Sequence, residues 1–159
     1  MWLKKIRDQR GQALVEFALV VPLLLILMFG IIEFGMIYFD QLVISNAVRG
    51  TARLVAVQNV GNTAAITSKV LSLTTFSTTE KNKVVITSIV YTQSDGTTIA
   101  ADRAHAPLGT IKIAAKYPVH IIIPFLSPMI GVQYDVPPAD GHWDYYAVWV
   151  QSQCTMRIE

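Results

Sequence analysis

The chain has 159 residues, a formal net charge of +2, 52% hydrophobic residues and a mean hydropathy of +0.43. That length allows one modest domain, the small net charge argues against a nucleic-acid surface, and a lone cysteine, Cys154, excludes an intramolecular disulfide or a cysteine-based zinc site. The apolar excess sits near the N-terminus, so the chain reads as a membrane segment joined to a smaller folded part.

Residues 1–11 form a short basic leader in which Lys4, Lys5, Arg7 and Arg10 are opposed only by Asp8. Positive charge beside an apolar segment holds that side in the cytoplasm, so the rest of the chain is expected across the membrane. Residues 12–39 are almost wholly apolar. As a transmembrane helix they extend about 42 Å, more than the roughly 30 Å hydrocarbon core. Glu16 and Glu33 fall near opposite edges of that slab, and Tyr38 and Phe39 suit the far interface. Glu33 reads as an interfacial carboxylate reaching water or as a group used in subunit packing. Pro22 lacks an N–H for the preceding turn, which makes it either a weak point or a tolerated transmembrane proline.

Residues 40–60 continue the helical pattern. Leu42, Val43, Ala47, Leu54 and Val55 recur at spacings near three and four, and Asn59 and Gly61 supply a stop. The expectation is one helix of about 45 residues, roughly 70 Å long, with its first half in lipid and its second half outside.

Residues 61–159 predict an exported α+β head: a short helix and an antiparallel sheet of three to four strands. Ile66, Val70 and Leu73 fit the helix, with Asn62 or Thr63 as cap. Residues 83–92 are rich in β-branched side chains and predict a strand buried on both faces, followed by an Asp95-Gly96 turn. Residues 110–117 alternate, with Ile111, Ile113, Ala115 and Tyr117 on one face. Residues 145–156 predict a third strand with Tyr146, Val148, Val150, Cys154 and Met156 on one side. Between the last two lies a Pro-rich loop, 118–138. Within it Pro124 and Pro128 argue against a central strand. Ile122, Phe125, Leu126 and Met129 therefore either pack over the head or form a surface for a partner.

No catalytic, cofactor or metal constellation emerges. Asp140, His142 and Asp144 alternate in ADGHWD but miss the EF-hand spacing and read as a polar loop. The expectation is a non-enzymatic protein with no cofactor, no nucleic-acid partner and no small-molecule substrate.

The N-terminus carries the functional signal. A basic leader, then Gly11, then an apolar helix with Glu16 at the fifth position after that glycine, is the arrangement of a type IV prepilin. A small residue at the cut lets a membrane protease approach the backbone. A glutamate in the apolar edge is costly and needs a partner. Cleavage between Gly11 and Gln12 would create an ammonium able to pair with it. The stretches ALVEFAL (13–19), GIIEFG (30–35) and NAVRGTAR (46–53), with Arg10-Gly11 and Pro22, resemble the N-terminal region of the TadE-like family, accessory pilins of tight-adherence (Flp-type) pili. YAVWVQSQCTMRIE resembles that family's closing strand. The resemblance implies a minor pilin or pseudopilin anchored in the bacterial inner membrane. It implies processing by a prepilin peptidase, and as partners other pilins and the inner-membrane pilus machinery. A membrane-tethered binding or adhesion module that never enters a filament is the alternative.

Overall fold

A computed structural model of the chain describes residues 9–58, 62–100, 109–121, 132–133 and 146–158. The first element, α1 (Gln9–Gln58), is a continuous helix of 50 residues, about 75 Å long. It runs through both Pro22 and Gly50. Residues 17–32 of it are apolar all round, and the most apolar 18-residue window has a mean hydropathy of 2.7 with none of it buried. Such a helix is long and apolar enough to cross a membrane.

The second half of α1 is amphipathic. Ile44, Ala47, Val48, Thr51, Ala52 and Val55 are buried at helical spacing and form one stripe against the head. This stripe is rotated from the expected one. Val43, Ala47 and Val55 are buried, but Leu42 is 43% exposed and Leu54 is only half-buried. The face that carries Ala47, Thr51 and Ala52 is thin, so the sheet approaches there. Bulkier Leu42 continues an outer row with Phe34 and Tyr38.

After α1 come α2 (Thr63–Leu73) and α3 (Thr78–Lys81). Asn62 caps α2 as expected, its side chain accepting from the Ala64 N–H at 2.8 Å. Ile66 and Val70 are buried, while Leu73 stays 40% exposed. Then follow β1 (Val85–Thr92), β2 (Thr98–Ala100), β3 (Thr110–His120), β4 (Val132–Gln133) and β5 (Tyr146–Arg157). They form one antiparallel sheet in the order β2-β1-β3-β5-β4, with three long strands flanked by two short ones. The β1–β2 turn is the expected one: Gly96 takes φ +86°, and the Asp95 carboxylate accepts from the Thr97 N–H.

One face of the sheet packs on α1. Ile111, Ile113, Ala115 and Tyr117 of β3 are buried there, in the alternation predicted. Val150 of β5 is buried with them, and Cys154 and Met156 are half-buried against the same core. The opposite face carries exposed Lys112, Gln151, Gln153 and Thr155. That one-sided cover corrects the expectation for β1. Its residues are mostly half-buried and Val85 is 39% exposed, so the strand is not covered on both faces. The β-branched run reflects strand preference, not two-sided burial.

The Pro-rich loop also starts later than expected, because β3 continues through Pro118 to His120. Gln151 directs its carbonyl away from β3, to the Gln41 side chain. By the parity of antiparallel pairing, Pro118, opposite Trp149, then turns its nitrogen away from β5. On that side β1 begins only at the Val85–Lys116 pair, so no ladder bond is lost.

The head has a fixed direction relative to the helix. Gln41 bonds to Gln151, and Arg53, Ala56 and Val57 line a groove with Met156 and Arg157. β5 therefore runs parallel to α1, and its start lies at the end of the head nearer the apolar half of the helix.

Candidate functional site

The residues that carry the N-terminal motif are all on α1. Gly11 lies in its first turns, with open space where a Cβ would stand. Gln12 and Glu16 are one turn apart on the exposed surface. The Gln12 side-chain amide donates to a Glu16 carboxylate oxygen at 2.9 Å. Position 12 therefore faces the carboxylate along the helix, at the i,i+4 spacing at which side chains meet.

Glu33 behaves differently. It is only 3% exposed, on the side of α1 where the head begins, so it is not a carboxylate reaching water. At the same level Phe34 and Ile37 line a groove with Val148 to Val150 of β5, so the head reaches this far along the helix. Phe34, next in sequence, is 65% exposed, so burial at this level is confined to one side of the helix.

A polar junction ties the near end of the head together. The Tyr117 hydroxyl donates to one Glu80 carboxylate oxygen, and Lys83 Nζ lies 2.9 Å from the other. Phe76 stacks on Tyr117 with ring centroids 4.3 Å apart. Burial acts to raise the Glu80 pKa, but the bonds from Tyr117 and Lys83 and the nearby positive charge outweigh it, and the carboxyl ends below its ordinary value. Tyr117 is pushed up by burial and by the Glu80 carboxylate. Asp40, on α1, is raised by burial and then by Glu80. Tyr91, in the core, is pushed up to about 12 by burial alone. Sequence periodicity placed Tyr117 on the inner face but gave no sign of Glu80. The only local signal was the three-residue spacing between Glu80 in α3 and Lys83 just beyond it.

On the outer face, Lys116 Nζ stands 4.2 Å above the Trp149 ring. Beside Trp149, a groove of about 390 Å³ opens between α1 and β5. The expected partner surface, Ile122, Phe125, Leu126 and Met129, lies outside the described residues, as do Asp140, His142 and Asp144. Among the described residues no cluster of histidine, cysteine or carboxylate side chains is arranged to hold a metal.

The chain thus joins a long helix, uncovered in its apolar first part and with Glu16 near the free end, to a one-sided α+β head, and that helix is long and apolar enough to cross a membrane. The family model described as TadE-like protein matches residues 11–53, which is the free half of α1 and most of the packed half. The N-terminal region is therefore similar to the TadE-like family over these residues, well under half of the chain. No curated protein and no solved structure matches the chain significantly.

Proposed function

We propose that the chain is a minor pilin or pseudopilin of a tight-adherence pilus. It is held in the inner membrane by the first half of α1 and cut between Gly11 and Gln12 by a prepilin peptidase. The observation that carries this reading is the TadE-like match over residues 11–53, which contains the glycine, the glutamate and the uncovered apolar helix together. The basic residues before Gly11 favour a cytoplasmic leader and a head on the far side.

Cleavage places a new ammonium on Gln12, one turn before Glu16. An acidic side chain well inside a membrane costs about 2.5 kcal/mol or more, less toward the interface, and a counter-charge offsets that. Pairing within one subunit, or with a neighbour, would give assembling subunits a register.

The experiment is intact-mass measurement of protein made in cells with and without the peptidase. The mature chain should begin at Gln12, and Gly11→Leu should retain the leader. A mature chain that keeps residues 1–11 in the presence of the peptidase would leave a plain membrane-tethered binding module as the better reading. Glu16→Ala should insert at least as well as the parent yet assemble poorly with other pilus subunits. Glu16→Gln should be nearly as defective, since the amide keeps the shape without the charge.

A further inference from the structure

Among the described residues the head carries opposite charges at its two edges. Arg53, Ala56 and Val57 of α1 and Met156 and Arg157 of β5 line a groove of about 390 Å³ at the end of the head farther from the apolar half of the helix. Arg53 and Arg157 are both exposed, as is Arg49 one turn earlier on α1. Alternation along β5 turns the Arg157 side chain to the outer face, so the two guanidinium groups flank the strand's edge, one from the helix and one from that face. Among the described residues β4 covers this edge only at Tyr146 and Ala147. The Ile158 N–H bonds to the Gly109 carbonyl, toward β3, so by parity the Arg157 N–H points out from the edge. No described carboxylate pairs with the three arginines. Glu33, Asp40 and Glu80 belong to the near end of the head, where Glu80 holds Tyr117 and Lys83.

The acid described at the far end is Asp95. Thr92 pairs with Thr110, and Thr110 with Arg157, so the β1–β2 turn begins level with Arg157. In the order β2-β1-β3-β5 that turn lies on the opposite side of the sheet. Its residues Ser94, Asp95, Gly96 and Thr97 are small and exposed, so the turn is narrow enough to enter a groove. The Thr97 N–H and hydroxyl both donate to Asp95 Oδ1, at 2.9 and 2.6 Å, which fixes the carboxylate at the tip. The membrane decides which contact these edges can make. From Glu16 to Arg53 the helix extends about 55 Å, so the groove stands about 25 Å clear of a hydrocarbon core of roughly 30 Å. Copies anchored in one membrane stand parallel. A twofold axis along the membrane normal would set arginine edge against arginine edge, and like charges oppose that. A head-to-tail contact sets the arginine edge of one copy against the Asp95 edge of the next, at one height.

We propose that the groove at Arg53 and Arg157 receives the Asp95-Gly96 turn of a second copy anchored in the same membrane, the Asp95 carboxylate meeting both arginines. Each copy offers one turn and one groove, so the contact repeats from copy to copy into a ring or a helical row. The proposal rests on the anchored reading of α1, and it names the surfaces through which such subunits recognise one another.

The test uses two differently tagged copies of the full chain, reconstituted in the same vesicles, solubilised in mild detergent and retrieved through one tag. The parent copies should be retrieved together. Asp95→Arg alone, or Arg53→Glu with Arg157→Glu alone, should lower the co-retrieved fraction about tenfold, because like charges then meet at the contact. Asp95→Asn, which can keep the Thr97 bonds, should lower it in part. Mixing the Asp95→Arg copy with the doubly changed arginine copy should restore it, since the changed turn of one then suits the changed groove of the other. Lys69 and Lys112 are exposed outside the groove and the turn, and Lys69→Glu with Lys112→Glu should have no effect. An equal loss from that lysine variant marks a net-charge effect and overturns the proposal, as does a mixture that stays apart. Resistance of the parent to alkaline extraction from the vesicles reports anchoring separately. Extracted chains overturn the anchored reading and the proposal together, whereas retained chains that are not co-retrieved overturn the contact alone. If the arginine variant lowers the denaturant midpoint of the head and no mixture restores co-retrieval, the arginines serve their own chain and the proposal is wrong.

Discussion

The two halves of α1 are one helix with two solvents. In residues 11–32 the large apolar side chains are exposed in every direction. In residues 43–56 the buried side chains are confined to one stripe, and small or β-branched residues predominate in it. Hydrophobicity is therefore not what distinguishes them. The free half has no partner within the protein, and its contacts must come from lipid or from other helices. The packed half has a sheet against it, and shape matters there. A buried Ile44 or Val48 contributes about 1.5–3 kcal/mol relative to exposure, and its removal leaves a cavity.

The contrast can be broken most directly by shortening one side chain in each half. Ile44→Ala should lower the unfolding free energy of the head by about 2–5 kcal/mol, seen as a fall in the denaturant midpoint in detergent. Leu25→Ala should leave that midpoint unchanged, because Leu25 touches no part of the head. Equal losses from both would mean that the free half is packed after all.

A charge sharpens the same comparison from the other side. Leu25→Lys should cost about 2.5–3.5 kcal/mol of membrane insertion, measured as the inserted fraction in a translocation assay. The folded head should keep its stability.

A smaller effect is expected at the junction between helix and head. Glu80→Gln should reduce head stability by about 1 kcal/mol, the pair being partly exposed. Because the Glu80 pKa is lowered on folding, its contribution is present above the ordinary value of 4.5 and is lost as the pH falls toward the lowered one. Asp40 has the opposite sign. Its pKa is raised, so its ionised form opposes folding, and Asp40→Asn should stabilise the head at neutral pH. Denaturation curves at pH 7 and pH 4 separate the two. A Glu80→Gln loss that is the same at both pH values would count against the charge-assisted bond.

The smallest expected change lies at Gly50, in the packed half. A Cβ there would meet only the Leu73 Cδ1 atom, at 3.1 Å, at the end of a partly exposed side chain. Gly50→Ala should be neutral or raise stability by about 0.5–1 kcal/mol, since glycine is a poor helix residue. Gly109 is the control. A Cβ there falls 2.5 Å from the Thr92 carbonyl oxygen, backbone that cannot yield, so Gly109→Ala should destabilise the head. A melting-temperature comparison of the two variants decides it.

Local chemistry made much of the protein legible in its sequence. The length and uniform apolarity of α1, the Asn62 cap, the Asp95-Gly96 turn and the alternation from Ile111 to Tyr117 each depend on neighbours a few residues away. So does the cluster of Gly11, Gln12 and Glu16, which helical spacing alone brings together. Tertiary structure decided the rest. Which side of α1 meets the sheet depends on which face is thin enough, and that put Ile44 and Val48 inside and left Leu42 out. That Glu33 is buried while the adjacent Phe34 is exposed is likewise set by packing and not by the apolar pattern. β1 has one covered face because, among the described residues, α1 packs on one side of the sheet. β3 continues through Pro118 because β1 begins two residues earlier along the β3 ladder. Glu80 finds Tyr117 37 positions away, a pairing that no local period encodes. Spacing along the chain fixes what one segment can offer, and only the packing of distant segments determines which of those offers is taken up.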